Sequence, residues 1–414
     1  MYFRKVFMKW FRVILLPALF LASVLVSCRK DPGYVRFRGY AQGGVYSVTV
    51  NLSGTSKTVP EVKAAIDSIL TLVDTTLSGY NKGSILSRFN AGELVVPNRL
   101  FLDTYELAYG WFVRSGGALD FAAGALFDAW GFGFREGRLP SDAEVERLLA
   151  ISGMGRLKER IPVREDGTVS AADLVREEYV RGGAVADGVA VSGGGAVALN
   201  YNAIAQGLTA DLVAEYLEGI GAKDMLVDIG EIRLSGKNPS GKAWAVGVDR
   251  PEDGNQDPGK DLEAVWESPG GSLGVVTSGN YRKFYVVDGV KYAHTIDPRT
   301  GRPVAHNLLS ATVVSPEGSS SADALATWCM VVGPSAAVAL IESLPGTEAF
   351  LISSGTSSFG SSSFGSPSGA ISSSGTTSFG TPSGATSFGS PSGATSPSGM
   401  AYSEWASPGF TLRN

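Results

Sequence analysis

Two periods of apolar and polar residues divide this chain into helices and strands. Apolar residues recur every three or four positions in several segments, which is typical of amphipathic helices packed on a core. The predicted helices are 59–77, 101–115, 141–150 and 319–332, and the segment 199–218 contains a further helical face that begins after 205–207. Shorter alternating or apolar runs predict strands at 46–52, 225–234, 244–248, 273–277, 283–287, 311–314 and 349–353. The segment 164–197 also favours strands and a glycine-rich turn, and 273–277 is expected to pair with 283–287. The pattern predicts a fold of mixed helix and sheet.

The region near the C-terminus has a different composition. Residues 354–400 repeat Ser-Phe-Gly and Pro-Ser-Gly and carry no charged side chain. Such a tract buries too little apolar surface to offset chain entropy, so we predict that it is disordered. Alternation resumes at 401–414, which predicts a terminal strand of the main domain. The tract is therefore interpreted as an expanded loop inside a terminal hairpin, since loop entropy grows slowly with length. A binding tail is the alternative.

The N-terminus has the features of a targeting segment. Residues 1–28 combine a basic start with an apolar stretch that Pro17 interrupts, which is too short for a comfortable membrane span. The stretch ends in Leu-Val-Ser-Cys, which resembles a bacterial lipobox. We therefore predict lipidation at Cys28, a polar tether over 29–38, and a lipid-anchored protein on the periplasmic side of the bacterial inner membrane. An uncleaved anchor, or a secretion signal with a chance cysteine, is the alternative.

Composition narrows the class of protein. The chain has 414 residues, of which 44% are hydrophobic and 18% charged, so a substantial core is expected. Its net charge is −5 and no basic run follows the N-terminus, which argues against a nucleic-acid partner. Two cysteines are too few for a disulfide framework, and Cys329 lies in an apolar run that predicts burial.

The richest chemistry lies in the segment Lys291–Pro303. It holds His294, one of two histidines in the chain, together with Asp297, two arginines, a threonine and a Pro/Gly-rich turn. Such a loop could hold an imidazole near a carboxylate with cations and hydroxyls in reach, which suits phosphate chemistry. The alternative interpretation is an Asp-Pro turn with an incidental histidine.

Two helices carry further candidate groups. Ala205-Gln206-Gly207 lies at the entry of the helix predicted within 199–218, and free N–H groups at a helix N-terminus favour phosphate. An ordinary glycine-assisted helix start is the alternative. In 319–332, Ser321 is a predicted N-cap, and Asp323 and Thr327 are four residues apart. That spacing places a carboxylate and a hydroxyl on one helix face, where both could bind Mg²⁺. An acid favoured by the helix dipole, with an incidental threonine, is the alternative.

Three loops contain weaker candidates. The glycine-rich segment 39–44 is predicted to be a flexible loop that could approach a ligand closely. Tyr80 and Asn81 could stack on and hydrogen-bond a base, or could simply form a turn that ends a helix. Asp120 is an isolated acid in an apolar, glycine-rich segment, and a buried acid needs partners.

Several motifs, taken in order, resemble the ApbE family of bacterial FAD:protein FMN transferases over residues 39–352 and the final strand. His294–Pro303 reads HTIDPRTGRP and matches the family's HxIDPxTGxP. Asp120–Gly133 matches its D…GxL…WGFG segment, Ser321–Thr327 its AADALAT segment, and Tyr281-Arg282 its Tyr-Arg pair. The likeness is strongest to the lipoprotein form of spirochaetes, which resembles a flavin-trafficking protein with FAD pyrophosphatase activity.

The resemblance implies a fold and a reaction. The fold would be α+β, with mixed or antiparallel sheets packed against helices, related to the T-fold, and 39–353 would form the flavinyltransferase domain. FAD would be the substrate, and a Thr or Ser hydroxyl of an acceptor protein would take FMN and release AMP. Mg²⁺ would be held by the carbonyl group of Ala205 and the side chains of Asp323 and Thr327.

The resemblance also implies which residues serve the reaction. His294 is the candidate for activating the nucleophile, and Asp323 is the alternative base. Arg282 would hold phosphate or act structurally. The predicted contacts with FAD are Gln42, Tyr80, Asn81, Ala118, Leu119, Asp120, Asn202, Gln206, Arg282, His294, Ile296 and Asp297.

This chain departs from the family's pattern in two places. The family's Leu-Asp-Leu-Gly-Gly-Ile-Ala-Lys-Gly reads LNYNAIAQG at 199–207, so neutral Gln206 replaces a lysine. The family's Met-Gly-Thr reads Gln-Gly-Gly at 42–44. Three functions therefore remain open: an FMN transferase, an FAD pyrophosphatase giving FMN and AMP, and a flavin-binding lipoprotein without catalysis. The Asp323/Thr327 pair argues against the last, since simple binding needs no cation on the diphosphate.

Overall fold

The computed structural model describes most of the chain. The described residues are 33–133, 139–181, 197–253, 255, 259–281, 284–287, 290–355 and 402–413. The predicted signal segment with Cys28, the start of the predicted tether, Arg282 and nearly all of the predicted insertion lie outside them. Within the described part, no helix is long and apolar enough to cross a membrane.

The helices follow the apolar periodicity closely. They are α1 Val59–Leu77, α2 Ile85–Asn90, α3 Arg99–Arg114, α4 Gly124–Ala129, α5 Asp142–Ile151, α6 Ala171–Leu174, α7 Glu177–Arg181, α8 Ala205–Gly219, α9 Ser319–Val332 and α10 Pro334–Glu342. The bounds of α1 are those predicted, because Thr58 and Glu61 form a reciprocal capping box and Pro60 occupies the first turn. Ser141 caps α5 by accepting from the Glu144 N–H at 3.2 Å.

The strands form one large antiparallel sheet and three small ribbons. They are β1 Tyr34–Ala41, β2 Gly44–Asn51, β3 Met225–Asp228, β4 Ile232–Ser235, β5 Ala245–Asp249, β6 Leu262–Glu267, β7 Ser272–Gly279, β8 Phe284–Val287, β9 Val290–Ala293, β10 Ile296–Asp297, β11 Arg302–Pro303, β12 Leu308–Ser315, β13 Glu348–Ser354 and β14 Tyr402–Ala406. The eight-stranded sheet has the order β1-β2-β3-β4-β7-β12-β13-β14, and every neighbouring pair is antiparallel. The ribbons pair β5 with β6, β8 with β9, and β10 with β11. The predicted α+β class with antiparallel sheets is confirmed.

Both faces of the large sheet are covered. On one face, α9 packs on β7 and β12 and continues into a core with α3 and α2. Next to it, α1 and α8 pack on β1 to β3. The other face contacts the β5–β6 ribbon through Trp244 and Trp266. Cys329 is buried in the α9 core, as its apolar surroundings predict.

Three predicted segments near the sheet are corrected. The tether 29–38 overlaps β1, which begins at Tyr34, and the flexible loop 39–44 is reduced to the turn Gln42-Gly43. The predicted strand 225–234 is a hairpin of β3 and β4, because Gly230 has a left-handed φ of 102° and turns the chain.

Three other predictions fail for non-local or capping reasons. The strand 283–287 pairs with β9 rather than with 273–277, which lies between β4 and β12 in the large sheet. Ser321 lies inside α9, whose N-cap is Gly318.

The described part of 164–197 contains α6 and α7 rather than strands. The start of α6 is fixed by a capping box of Ser170 and Asp173. The predicted terminal hairpin is present: β14 pairs antiparallel with β13.

Candidate functional site

The first turns of α8 and α9 cross in direct backbone contact. A Cβ added to Gly207 would lie 2.4 Å from the carbonyl oxygen of Ser319. On the other side, a Cβ on Gly274 in β7 would lie 2.3 Å from the Gly318 carbonyl. Only glycine permits such approaches, so α9 is held between β7 and α8. This crossing brings Asp323 against Gly207, two residues after Ala205 in α8.

Asp323 is the buried acid of this crossing, with a relative exposure of 4%. Burial raises the pKa of its carboxyl group to about 7, which the Gly207 N–H bond opposes and the nearby Asp211 charge reinforces. The Gly207 N–H donates to its Oδ2 atom at 3.2 Å. A carboxylate held here in its charged form would gain from a cation. Half-buried Thr327 follows one turn later on the same helix.

The predicted metal ligands are chemically suited to a hard cation. They are the Asp323 carboxylate, the Thr327 hydroxyl and the Ala205 carbonyl, all oxygen donors of the kind that Mg²⁺ prefers. Among the described residues, no three His, Cys, Asp or Glu side chains cluster as they would in an all-side-chain metal site. The Ala205 carbonyl already accepts from Thr209 Oγ1 at 2.6 Å, so this hydroxyl shares the predicted ligand.

Gln42 is connected to the same carbonyl. Its Nε2 atom donates to Thr209 Oγ1 at 2.5 Å, which links the β1–β2 turn to the first turn of α8. Among the described residues other than glycine, Gln42 alone has a left-handed φ, 52°. Such a strained conformation persists only where surrounding contacts fix it. The structure thus gives Gln42 a role in holding Thr209, and its predicted contact with FAD stays a prediction.

The N–H groups at the start of α8 are mostly engaged within the protein. The Ala205 N–H donates to the Tyr201 carbonyl at 2.8 Å, and the Gly207 N–H donates to Asp323. The side chain of Gln206 donates to the Ile229 carbonyl at 3.3 Å and packs over Gly230. A phosphate site made of free helix N–H groups is therefore less favoured than the sequence indicates. Asn202 is exposed beside this turn.

The histidine segment forms a strap anchored to the aromatic segment after Asp120. The β10–β11 ribbon closes through Gly301, whose carbonyl accepts from Trp130 Nε1 at 2.8 Å, and Ile296 is buried beneath it. His294 lies at the start of the strap with its ring edge-on to Phe132, the centroids 6.4 Å apart.

The charged groups of the strap form two ion pairs, one within the strap and one with α5. Arg299 donates to Asp297 from both Nε and Nη2, at 2.9 and 2.8 Å. Arg302 binds Asp142 at 2.7 Å. Within the strap, Asp297 therefore pairs with Arg299. The second histidine, His306, contacts the Met330 carbonyl with Nε2 and is structural.

Asp120 organises its own loop. Its Oδ1 accepts from the N–H groups of Ala122 at 2.9 Å and Met154 at 3.0 Å, which fixes the turn to the segment after α5. The preceding side chains of Ala118 and Leu119 are buried, so only their backbone could contact a ligand. Burial raises the pKa of the Asp120 carboxyl from 3.8 to about 6, although both N–H bonds oppose this.

The raised pKa of Asp120 predicts a pH dependence of stability. Because its pKa is higher in the folded than in the unfolded chain, ionisation disfavours folding between pH about 4 and about 6. Asp120→Asn keeps an acceptor at Oδ1 and cannot ionise, so it avoids this cost. In urea unfolding without ligand, the free energy of unfolding of the variant should rise relative to the wild type by up to about 3 kcal/mol as pH increases across that window. The difference should stay constant at higher pH. Parallel curves for the two proteins would contradict the burial of this carboxylate.

The loop candidates Tyr80 and Asn81 behave differently from each other. Tyr80 is 64% exposed between α1 and α2. Asn81 donates from its amide to Asp74 at 2.7 Å and accepts from the Gly83 N–H at 3.0 Å. These bonds support the interpretation of Asn81 as part of a turn that ends α1. The predicted stacking of Tyr80 on a base stays a prediction.

The sequence did not reveal the residues that join the two helices. Asp211 and Thr209 were missed, and Gly207 and Gly274 were not recognised as contact points. The available signal was spacing: Gly207 and Asp211 are four apart, so both face α9 from one side of α8.

Comparisons with known proteins identify relatives of this chain. The sequence profile of the ApbE family matches residues 43–351. The chain is 31% identical over 336 residues to an FAD:protein FMN transferase of Vibrio cholerae serotype O1, covering 79% of this chain and 90% of the relative. It is 29% identical over 349 residues to one of Treponema pallidum, covering 80% and 89%.

Solved structures give the same result. The flavin transferase ApbE from Vibrio cholerae superposes with a TM-score of 0.61 at 29% identity, covering 77% of this chain and 93% of that one. The apo flavinyl transferase ApbE of Pseudomonas stutzeri superposes with a TM-score of 0.62 at 29% identity, covering 77% and 91%. The extent of these matches and the order of the motifs establish that the chain belongs to the ApbE family.

Proposed function

We propose that this chain is a Mg²⁺-dependent FAD:protein FMN transferase, which moves FMN from FAD to a Thr or Ser hydroxyl of an acceptor protein. The observation that carries the proposal is the buried carboxylate of Asp323 against the first turn of α8. Membership of the family and the names of the relatives support the reaction.

Mg²⁺ would be held by Asp323, Thr327 and the Ala205 carbonyl. When bound, such an ion supplies positive charge that offsets the negative charge developing on a diphosphate as its bridge breaks. The chain's own contribution is to keep these oxygens in place: Gly207 holds Asp323 through its N–H, and Gln42 and Thr209 act on Ala205.

The transfer itself is a displacement at phosphorus. The acceptor oxygen forms a bond to the FMN phosphorus, the bond from that phosphorus to the bridging oxygen breaks, and AMP leaves with the bridging oxygen. The hydroxyl proton passes to a base. We assign this base to His294, which lies on the anchored strap, with Asp323 as the alternative. If water replaces the hydroxyl, the products are free FMN and AMP.

Gln206 favours the pyrophosphatase as a second candidate function. Its amide is neutral and donates to the Ile229 carbonyl, so it brings no positive charge to the diphosphate. Weaker fixation of the diphosphate would make the site less selective between water and an acceptor hydroxyl. This observation bears on the balance between the two reactions, and both use the same carboxylate.

A product analysis tests the proposal. The full chain, purified in detergent, is incubated with FAD, Mg²⁺ and an acceptor-domain protein, and the products are separated by chromatography and mass spectrometry. FMN attached to the acceptor, with one AMP released per attachment, is the expected result. Free FMN and AMP without attachment would assign the pyrophosphatase. Intact bound FAD would leave only a carrier.

We also propose that Cys28 is lipidated and holds the protein at the periplasmic face of the inner membrane. The lipobox-like sequence supports this location. Metabolic labelling with a fatty-acid analogue should mark the wild type and leave Cys28→Ala unmarked, with the variant released into the soluble periplasmic fraction. Equal labelling of both proteins would contradict it.

A further inference from the structure

The start of α9 is capped by a side chain of α8. The Asp211 Oδ1 atom accepts from the Ser319 N–H at 2.8 Å, and its Oδ2 atom accepts from the Ser320 N–H at 2.8 Å. The N-cap of α9 is Gly318, which has no side chain, so these N–H groups depend on α8 for a partner. The cap thus links two helices that are distant in sequence.

The same helix holds Asp323 at a second point. Gly207, one turn before Asp211 on α8, donates its N–H to Asp323 Oδ2 at 3.2 Å. Asp323 lies about one turn into α9 from the capped residues. One face of α8 therefore sets both the start of α9 and the orientation of the Asp323 carboxylate. Ala205, the predicted ligand that lies on α8, belongs to the same helix as these two contacts.

The charge of Asp211 is only loosely balanced. The Nε atom of Arg233, on β4, lies 3.8 Å from Asp211 Oδ1. The Nη1 atom of Arg233 is buried and has no hydrogen-bond partner among the described residues. The side chain of Asp211 is 12% exposed. The carboxylate therefore acts mainly through its two short bonds to α9, which are charge-assisted and stronger than neutral ones.

We propose that Asp211 is a positioning residue that fixes Asp323 relative to Ala205, and thereby sets the affinity of the site for its divalent cation. The proposal rests on the function proposed above. Asp211 itself touches neither FAD nor the cation; it acts through α9. A cap with a purely structural role would change stability and leave cation affinity unaltered.

The test uses Mn²⁺ as a probe, because its binding is visible by electron paramagnetic resonance without turnover. The full chain in detergent is titrated with Mn²⁺ in the presence of AMP and FMN, as wild type and as Asp211→Asn. In the variant an amide N–H group faces one of the two α9 donors, so α9 should shift. The expected result is an Mn²⁺ Kd raised by about tenfold, which corresponds to about 1.4 kcal/mol.

Matched variants separate positioning from folding. Asp211→Glu keeps both acceptor oxygens and should restore most of the affinity. Asn98→Ala removes a comparable cap from α3, where Asn98 accepts from the Phe101 N–H at 2.9 Å. Both Asp211→Asn and Asn98→Ala should lower the Tm, since each removes a side-chain cap that stabilises a helix start. Only Asp211→Asn should weaken Mn²⁺ binding, and KM for FAD at saturating Mn²⁺ should stay within about twofold.

Two outcomes would overturn the inference, and they differ. An unchanged Mn²⁺ Kd in Asp211→Asn, with a lowered Tm, would make Asp211 a structural cap only. If Asp323→Ala binds Mn²⁺ as tightly as the wild type, the cation site itself is misplaced, and the proposed function fails along with the inference.

Discussion

Asp323→Ala is expected to lower kcat/KM for AMP release from FAD by roughly 10³-fold, because several kcal/mol of stabilisation of the developing charge would be lost. Asp323 is the one charged group among the three predicted ligands, and the Thr327 hydroxyl and the Ala205 carbonyl are neutral oxygens. The variant leaves the Gly207 N–H without its acceptor but removes a buried charge. The measurement is AMP release at saturating Mg²⁺, quantified by chromatography.

Two companion variants locate the origin of the effect. Asp323→Asn keeps an acceptor for Gly207 and should lose nearly as much activity, since the amide carries no charge to hold a cation. Glu342→Gln removes a charge from the exposed end of α10 and should keep wild-type activity. Activity above about a tenth of wild type in Asp323→Asn would show that hydrogen bonding rather than charge is the function of this residue.

The folded stability of these variants provides an internal check. Burial raises the pKa of Asp323 well above its ordinary 3.8, so the cost of its ionisation to folding grows as pH rises above about 4 and is complete once pH exceeds the raised pKa. Asp323→Asn should therefore be at least as stable as the wild type at pH 8 without metal. An inactive variant that remains stable cannot owe its inactivity to unfolding.

The helices were predictable from sequence because their signals are local. The bounds of α1 follow from Thr58, Glu61 and Pro60, which lie within one turn of each other. The Asp323–Thr327 spacing likewise placed both groups on one face of α9. Local spacing therefore gave the elements and one half of the candidate site.

The pairing of elements was not predictable because its determinants are far apart in the sequence. β7 pairs with β4 on one side and β12 on the other, rather than with the neighbouring 283–287. Asp211 caps Ser319 across 108 residues. No pattern within α8 distinguishes such a carboxylate from an ordinary surface acid, so the second half of the site required the structure.

The histidine strap shows the same limit at short range. The sequence placed His294, Asp297 and Arg299 within six residues and indicated that the loop could hold an imidazole near a carboxylate, without showing which group binds the carboxylate. The planar guanidinium matches the carboxylate in a bidentate arrangement, and Arg299 takes Asp297. The composition of the loop predicted that a carboxylate and cations lie close together. Which group binds Asp297 depends on the backbone geometry of the turn, which the composition does not specify.

Gly207→Ala is expected to disrupt the α8–α9 crossing and with it both stability and activity. The added Cβ would lie 2.4 Å from the Ser319 carbonyl oxygen, 2.6 Å from its carbon and 2.8 Å from the Ser320 Cα atom. All three are backbone atoms, so no side-chain rotation relieves the overlap and the helices must separate. Overpacking of this kind costs about 1–3 kcal/mol. AMP release should fall by at least about tenfold, because Asp323 moves away from Ala205.

Gly219→Ala in the same helix is the matched control. Gly219 is the last residue of α8, and a Cβ there meets nothing within 4 Å. This change should raise the free energy of unfolding by about 0.4–1 kcal/mol, because alanine has fewer conformations in the unfolded chain. Urea unfolding and AMP release are measured on both variants. The free energy of unfolding should fall in Gly207→Ala and rise in Gly219→Ala. If Gly207→Ala were as stable and active as Gly219→Ala, the two helices could not be in backbone contact, and Asp323 would need another element to hold it in place.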